Sequence, residues 1–205
     1  MVLDAGAGWC PYKHLFSHLK YESADFCEID KEYGAIDYKC DLTAIPVDDN
    51  RYDAVICNQV LEHVPEPADV LKELHRILKP NGLLVLSLPF FYQEHEIPYD
   101  FYRYTQFACR YLLEKTGFKI QRIEWLEGYY GTLSYQLRIA SSCLPLNPKL
   151  YGGGLKALIS SLIVSMLKPS FAILSVLFSY IDVRYKNVSV GHCKNYAVTA
   201  RKLNI

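Results

Sequence analysis

From residue 1 to about 126 the chain alternates short apolar runs with longer amphipathic ones, and no other feature limits its fold as strongly. VLDAG (2–6), YESADF (21–26), AIDYKCDL (35–42), YDAVICNQV (52–60), GLLVLSLPF (82–90) and FKIQRIEWL (118–126) read as strands. PYKHLFSHL (11–19), PEPADVLKELHRILKPNG and a stretch at about 105–116 read as the helices between them. In the second of these helices Val70, Leu71, Leu74, Ile77 and Leu78 recur at helical spacing, and Lys79-Pro80-Asn81-Gly82 stops it. Strands alternating with helices predict βα units around a parallel sheet, hence an α/β class. GLLVLSLPF is apolar almost throughout, as a strand covered on both faces should be.

The character changes after about residue 128. LKALISSLIVSMLKPSFAILSVLFSYI (155–181) is almost free of charge, and Lys168-Pro169 divides it into two runs of roughly a dozen residues, short of the ~20 that a single span requires. The plain expectation is two packed helices forming a lid. The sharper one is a hairpin that makes peripheral membrane contact through 155–181 or accepts a greasy substrate. NYAVTARKL (195–203) alternates like a final edge strand that returns to the sheet. The expected division is a core at 1–127, an apolar helical insertion at 128–192 and a last strand at 193–205.

Lys+Arg and Asp+Glu both number 22, so there is no basic excess to hold a phosphate backbone, and nucleic acid is not an expected partner. The 7 cysteines form no C-x-x-C pair and several lie inside apolar runs. They read as buried thiols of a reducing compartment, with neither a disulfide frame nor a metal site expected. No basic stretch followed by an apolar run opens the chain, which makes a cytoplasmic protein the default expectation.

Chemistry begins at DAGAGWCP. A glycine turn directly after a strand lets backbone N–H groups approach a ligand closely. A dinucleotide turn, G-x-G-x-x-G, would place glycine at position 11, but Pro11 stands there, so an NAD-dependent enzyme is disfavoured. Two acids remain, Asp4 two residues before Gly6 and Asp25 at the end of the second strand. A carboxylate at that strand end suits the two hydroxyls of a ribose, and Asp4 would repel a pyrophosphate but attract an ammonium. The pair fits a nucleoside carrying an amino acid.

With DAGAG, Asp25, CDLTAIP, YDAVICNQVLEHV and ELHRILKPNGLLVLSLP in this order, residues 2–126 resemble a class I S-adenosylmethionine-dependent methyltransferase. The likeness is to the branch in which Q-V-L-E-H-V follows the fourth strand and an H-x-x-P-Y-D-F-Y-R-Y-T-like segment follows the fifth. That branch acts on small molecules, sugars or lipid-linked acceptors. The resemblance implies a Rossmann-like, doubly wound sheet of seven strands, the last antiparallel, with the helical insertion between the sixth and seventh. It implies that Asp4, Gly6 and Gly8 hold the methionine end of S-adenosylmethionine and that Asp25 takes the ribose. Asp41 and Leu42 would border the adenine, and Asn58 and Gln59 would open on the ligand crevice. The family's third glycine is Cys10 here. Relatives also carry helices before the first strand, so a lost N-terminal cover is expected.

For acid–base work, Glu62 and His63 follow the fourth strand and read more plainly as a tie between loop and helix. His95, Tyr99, Asp100, Tyr102 and Arg103 follow the fifth. His95 is the candidate base, with Tyr99 and Tyr102 lining the acceptor pocket, and Asp100 with Arg103 reads equally as an i,i+3 ion pair. Methyl transfer from a sulfonium is an in-line displacement in which positioning and water exclusion supply much of the rate, so a base is dispensable. The rival class is a scaffold that keeps the fold without activity.

Overall fold

A computed structural model describes residues 1–203. It divides into two units, one of Met1–Glu124 with the segment from Asn195 onward, the other of Trp125–Lys194.

The first unit is built on a seven-stranded sheet of order β3-β2-β1-β4-β5-β7-β6. Its strands are β1 (Val2–Ala5), β2 (Tyr21–Asp25), β3 (Tyr38–Lys39), β4 (Tyr52–Asn58), β5 (Leu78–Pro89), β6 (Phe118–Trp125) and β7 (Asn195–Lys202). β1 pairs in parallel with β2 and β4, β4 with β5, and β2 with β3, whereas β7 runs antiparallel to β5. Val2, Leu3 and Ala5 of the central strand are at most 3% exposed. The order reverses between β1 and β4, which opens a crevice at the carboxyl ends of those two strands.

Helix α1 (Pro67–Ile77) puts Pro67 in its first turn and buries Val70, Leu71, Leu74 and Ile77 on one face. Helix α2 (Gln106–Lys115) is capped by Thr105, whose hydroxyl accepts from the Ala108 N–H. At the far end of β2 from the crevice, Glu22 receives the Arg51 guanidinium at 2.9 Å and the Tyr52 hydroxyl at 2.7 Å. Burial raises the Glu22 carboxyl, and the hydrogen bonds from Arg51, Tyr52 and Lys20 outweigh it and hold it at about 2.

Several sequence expectations need correction. The helix predicted over 11–19 is a single 3-10 turn, Lys13–Phe16, with no buried residue, so no packing offsets the cost of ordering a longer helix. AIDYKCDL yields only the two-residue β3. The last strand is not an edge, because β7 inserts between β5 and β6 and leaves β3 and β6 at the margins. The cysteines are all free, but only Cys57, Cys109 and Cys193 are buried, and Cys143 is exposed.

The second unit contains α3 (Tyr129–Cys143), a short 3-10 turn at Pro148–Tyr151, and α4 (Gly154–Arg184). The predicted break at Lys168-Pro169 does not occur, since α4 is one helix of 31 residues with Pro169 inside it. Proline removes only the bond to the Ser165 carbonyl, and the Ser170 hydroxyl donates to the Met166 carbonyl one turn before it at 2.8 Å. By length and composition α4 suffices to cross a membrane, contrary to the two short runs expected.

Candidate cofactor crevice

The turn after β1 holds Gly6, Gly8 and Cys10 at φ +79°, +54° and +58°. Alternate left-handed residues fold the backbone tightly, so that the Gly6 N–H reaches the Ala24 carbonyl at 2.8 Å. The two glycines do different work. A Cβ on Gly6 would lie 2.3 Å from Val60 Cγ2, whereas one on Gly8 would meet nothing within 4 Å. Gly6 is small because protein presses on it, and Gly8 faces open space. Cys10 adopts the left-handed conformation that explains why glycine suits its position, at a cost of ~1–2 kcal/mol.

Asp25 is 7% exposed and joins this turn to β2. Its Oδ2 accepts from the Gly8 N–H at 2.8 Å and its Oδ1 from the Cys27 N–H at 3.0 Å. Each oxygen keeps a further lone pair for a ligand hydroxyl. Asp4, 2% exposed, accepts from the Tyr21 hydroxyl at 2.7 Å. Burial raises its carboxyl, the Tyr21 bond opposes that, and the Asp25 charge adds to the rise.

Two adjoining cavities occupy the crevice. One, of about 270 Å³, is walled by Phe26, Ile29, Leu42, Val60 and Tyr99 with Asp25 and Asp41 at its rim. A flat apolar base fits such walls, with the carboxylates beside it for hydroxyls and an exocyclic amine. The other, of about 630 Å³, is lined by Asp4, Gly6, Gly8, Asn58 and Gln59 and is the more polar. Gln59 has φ +53°, and its amide donates to Ser87 Oγ at 3.2 Å. All eight residues assigned to a cofactor from sequence therefore line one or other cavity. Asp41 spends one oxygen on the Thr43 N–H and hydroxyl, both at 2.8 Å.

Lys31 and Glu96 border both cavities and pair with each other at 2.9 Å. Sequence reasoning misses them, because nothing local signals a pair 65 residues apart, joining the loop after β2 to the loop after β5.

The acid–base candidates separate. His63 and Tyr99 line the apolar cavity, but His95 and Tyr102 are absent from the lining of either. His95 packs edge-on behind His63 with ring centroids 4.6 Å apart, and its backbone N–H donates to Asp100. The Tyr102 hydroxyl donates to the Pro65 carbonyl at 2.7 Å. Asp100 and Arg103 form a two-pronged ion pair at 2.6 and 2.8 Å, and with the His95 N–H that pair holds the Asp100 carboxyl far below its usual range.

His63 Nδ1 contacts the Tyr99 carbonyl and must be the donor there, so in the neutral ring Nε2 keeps its lone pair. Burial lowers the His63 pKa, which favours that neutral ring. Glu62 is fully buried, its two carboxyl oxygens have no hydrogen-bond partner among the described residues, and burial pushes it up to about 8. Glu62, His63 and His95 each offer one ligand-capable atom within 4.8 Å of the others, a spacing a metal ion could use and one that the sequence does not announce.

Residues 13–86 match the family model described as a methyltransferase domain. A ubiquinone biosynthesis O-methyltransferase of Pseudomonas paraeruginosa is 41% identical over 56 residues, 26% of this chain and 24% of that protein. A demethylmenaquinone methyltransferase of Staphylococcus epidermidis is 37% identical over 67 residues, 30% of this chain and 28% of that one. The chain thus spans about a quarter of the length of these relatives. In three dimensions it is similar to a SAM-dependent methyltransferase of Methanosarcina mazei, with TM-score 0.56, 13% identity and coverage of 100% of this chain and 92% of that one. It is also similar to the 1,6-didemethyltoxoflavin-N1-methyltransferase of Burkholderia thailandensis, with TM-score 0.56, 16% identity and coverage of 99% and 71%. The methyltransferase domain match and these folds agree with the seven-stranded sheet and its antiparallel last strand.

Proposed function

We propose that this chain is an S-adenosylmethionine-dependent methyltransferase acting on a small, lipid-like acceptor. The observation that carries the reading is the carboxylate of Asp25, held at the end of β2 by the Gly8 N–H with apolar walls on one side and Asp4 on the other. That arrangement suits a ribose between a base and an ammonium-bearing chain, and it suits a dinucleotide poorly, since Asp4 would repel a pyrophosphate.

Bound there, S-adenosylmethionine would present a sulfonium methyl for in-line displacement by an acceptor oxygen or nitrogen. Asp4 and the Gly8 turn would hold its amino-acid end, Asp25 its ribose, and Leu42 with Phe26 its base. The acceptor loses a proton when it gains the methyl, and of the two histidines weighed as its receiver only His63 lines the crevice, with a lone pair left on Nε2. His63 is thereby a better candidate than the His95 expected from sequence, which stands behind it.

The acceptor class rests on the relatives, named for ubiquinone biosynthesis and for demethylmenaquinone, whose substrates are quinone-type molecules. The test is incubation of the chain with S-adenosylmethionine labelled in its methyl group and a demethylated quinone, with transfer of label to the quinone expected. Binding of the cofactor without transfer to any hydroxylated acceptor would favour the scaffold reading instead.

A further inference from the structure

The Trp125–Lys194 unit is a helical hairpin with an inverted distribution of polarity. Along α4 the residues withdrawn from solvent follow a seven-residue rhythm. Ala157, Val164, Phe171 and Phe178 form one row, and beside it Ser161, Lys168, Ser175 and Asp182 form another, with Ser160 and Ile181 adjoining.

The second row is polar, and each member bonds across the hairpin. The Gly128 N–H donates to Asp182 at 2.9 Å, the Ser134 hydroxyl to the Ser175 carbonyl at 2.7 Å, and the Ser141 hydroxyl to the Lys168 carbonyl at 2.8 Å. The Lys168 ammonium donates to the Ser142 and Leu144 carbonyls at the end of α3, both at 3.0 Å, and the Ser161 hydroxyl reaches the Leu146 carbonyl at 3.4 Å. α3 and the segment after it therefore track α4 antiparallel along most of its length.

The outer surface carries the opposite chemistry. Leu158, Leu162, Met166, Ile173, Val176 and Val183 are each more than half exposed. Ser165 and Ser170, also on that surface, donate back to carbonyls of their own helix at 2.7 and 2.8 Å. Between Lys156 and Asp182 the only charged residue is Lys168, whose ammonium is already bonded to backbone carbonyls. In water a helical hairpin turns its apolar stripe inward and its polar face out. Here the polar groups are satisfied inside and the aliphatic ones face outward, the arrangement that hydrocarbon solvent demands.

Only 11% of the most apolar stretch of α4 is buried, so it is not the core helix of this unit. At 31 residues α4 is about 46 Å long, against ~30 Å of bilayer hydrocarbon. Charges collect toward the open end of the hairpin, where Glu127, Asp182, Arg184, Lys186 and Lys194 lie, the exposed Arg138 of α3 shares a cavity lining with four of them, and Tyr180 and Tyr185 are exposed, whereas the connection carries only Lys149 and Lys156. Exposed tyrosines beside charges suit the headgroup level.

We propose that the α3–α4 hairpin is a lipid-bilayer anchor that enters the membrane by its closed end, with acyl chains covering the outer face of α4. This inference is independent of the cofactor reading of the crevice. The test is flotation of the full chain with vesicles of phosphatidylcholine and phosphatidylglycerol. The wild type should float with the vesicles and stay with them in high salt, because the attachment is apolar. Ile163→Asp combined with Val176→Asp, both on the outer face, should cut the floated fraction at least tenfold with an unchanged circular dichroism spectrum. As a measurement that needs no variant, trypsin should cleave at Lys149 and Lys156 at least tenfold more slowly in vesicle-bound protein than in detergent. A folded wild type that stays with the soluble fraction, as a monomer or as a dimer closed through α4, would overturn the proposal. So would equal flotation of a folded double variant, or equal cleavage in vesicles and detergent.

Discussion

Asp25 and Gly8 are joined by a 2.8 Å hydrogen bond from the Gly8 N–H to Asp25 Oδ2, and that bond ties the turn after β1 to the end of β2. A single carboxylate thus shapes the turn and faces the cavity. Asp25→Ala should lower S-adenosylmethionine affinity at least tenfold by titration calorimetry. It should also cost about 1 kcal/mol in a denaturant melt, since two part-buried backbone donors lose their acceptor.

The glycines of the turn should separate fold from binding. Gly6→Ala drives a Cβ into Val60 and holds alanine at φ +79°, so the midpoint of thermal unfolding should fall, with a loss of about 2 kcal/mol or more. Gly8→Ala meets no protein atom and should unfold within about 1–2 kcal/mol of wild type, the left-handed backbone alone being taxed, yet bind the cofactor at least tenfold more weakly. Cys10→Gly should stabilise the chain by up to about 1 kcal/mol, by relieving φ +58°.

His63 and His95 should differ in kind. His63→Ala should lower the rate of methyl transfer by about 10²-fold or more with cofactor affinity within a few-fold of wild type, if it receives the acceptor proton. His95→Ala should act more weakly, through the position of the His63 ring. Rates measured on the same acceptor distinguish them.

Glu22 offers a control on the same strand as Asp25, at the end away from the crevice. Its carboxyl lies at about 2 in the folded chain against an ordinary 4.5, so its contribution is present above pH 4.5 and is lost as pH falls through 2. The shift corresponds to about 3 kcal/mol, and solvent screening at the part-exposed Arg51 reduces that to about 1–2 kcal/mol. Glu22→Gln should be less stable by this amount at pH 7, lose less stability on acidification, and leave cofactor affinity unchanged.

Local elements of the core were legible in the sequence because β1, β4 and the second half of β5 are compact apolar runs and α1 carries its period in Val70, Leu71, Leu74 and Ile77. What escaped depends on partners distant in the chain. β7 alternates as an edge strand would, and only its placement between β5 and β6 covers its second side. The 11–19 helix has the right composition but no face to bury. Pro169 reads as a break, although a proline removes one backbone bond and a 31-residue helix keeps the rest. At the site, the residues expected from sequence to meet a cofactor lie beside strand ends, so that their place along the crevice lining could be found by counting. The Lys31–Glu96 pair and the exchange of His95 for His63 at the cavity wall follow from loop geometry that no local pattern encodes.

The most direct test of the account is calorimetric titration of the folded chain with S-adenosylmethionine, repeated with Asp25→Ala and with NAD. The account predicts saturable one-to-one binding to the wild type, a dissociation constant at least tenfold higher in the variant, and no heat from NAD. Absence of S-adenosylmethionine binding by a chain whose melt is cooperative, or an unchanged constant in Asp25→Ala, would contradict it.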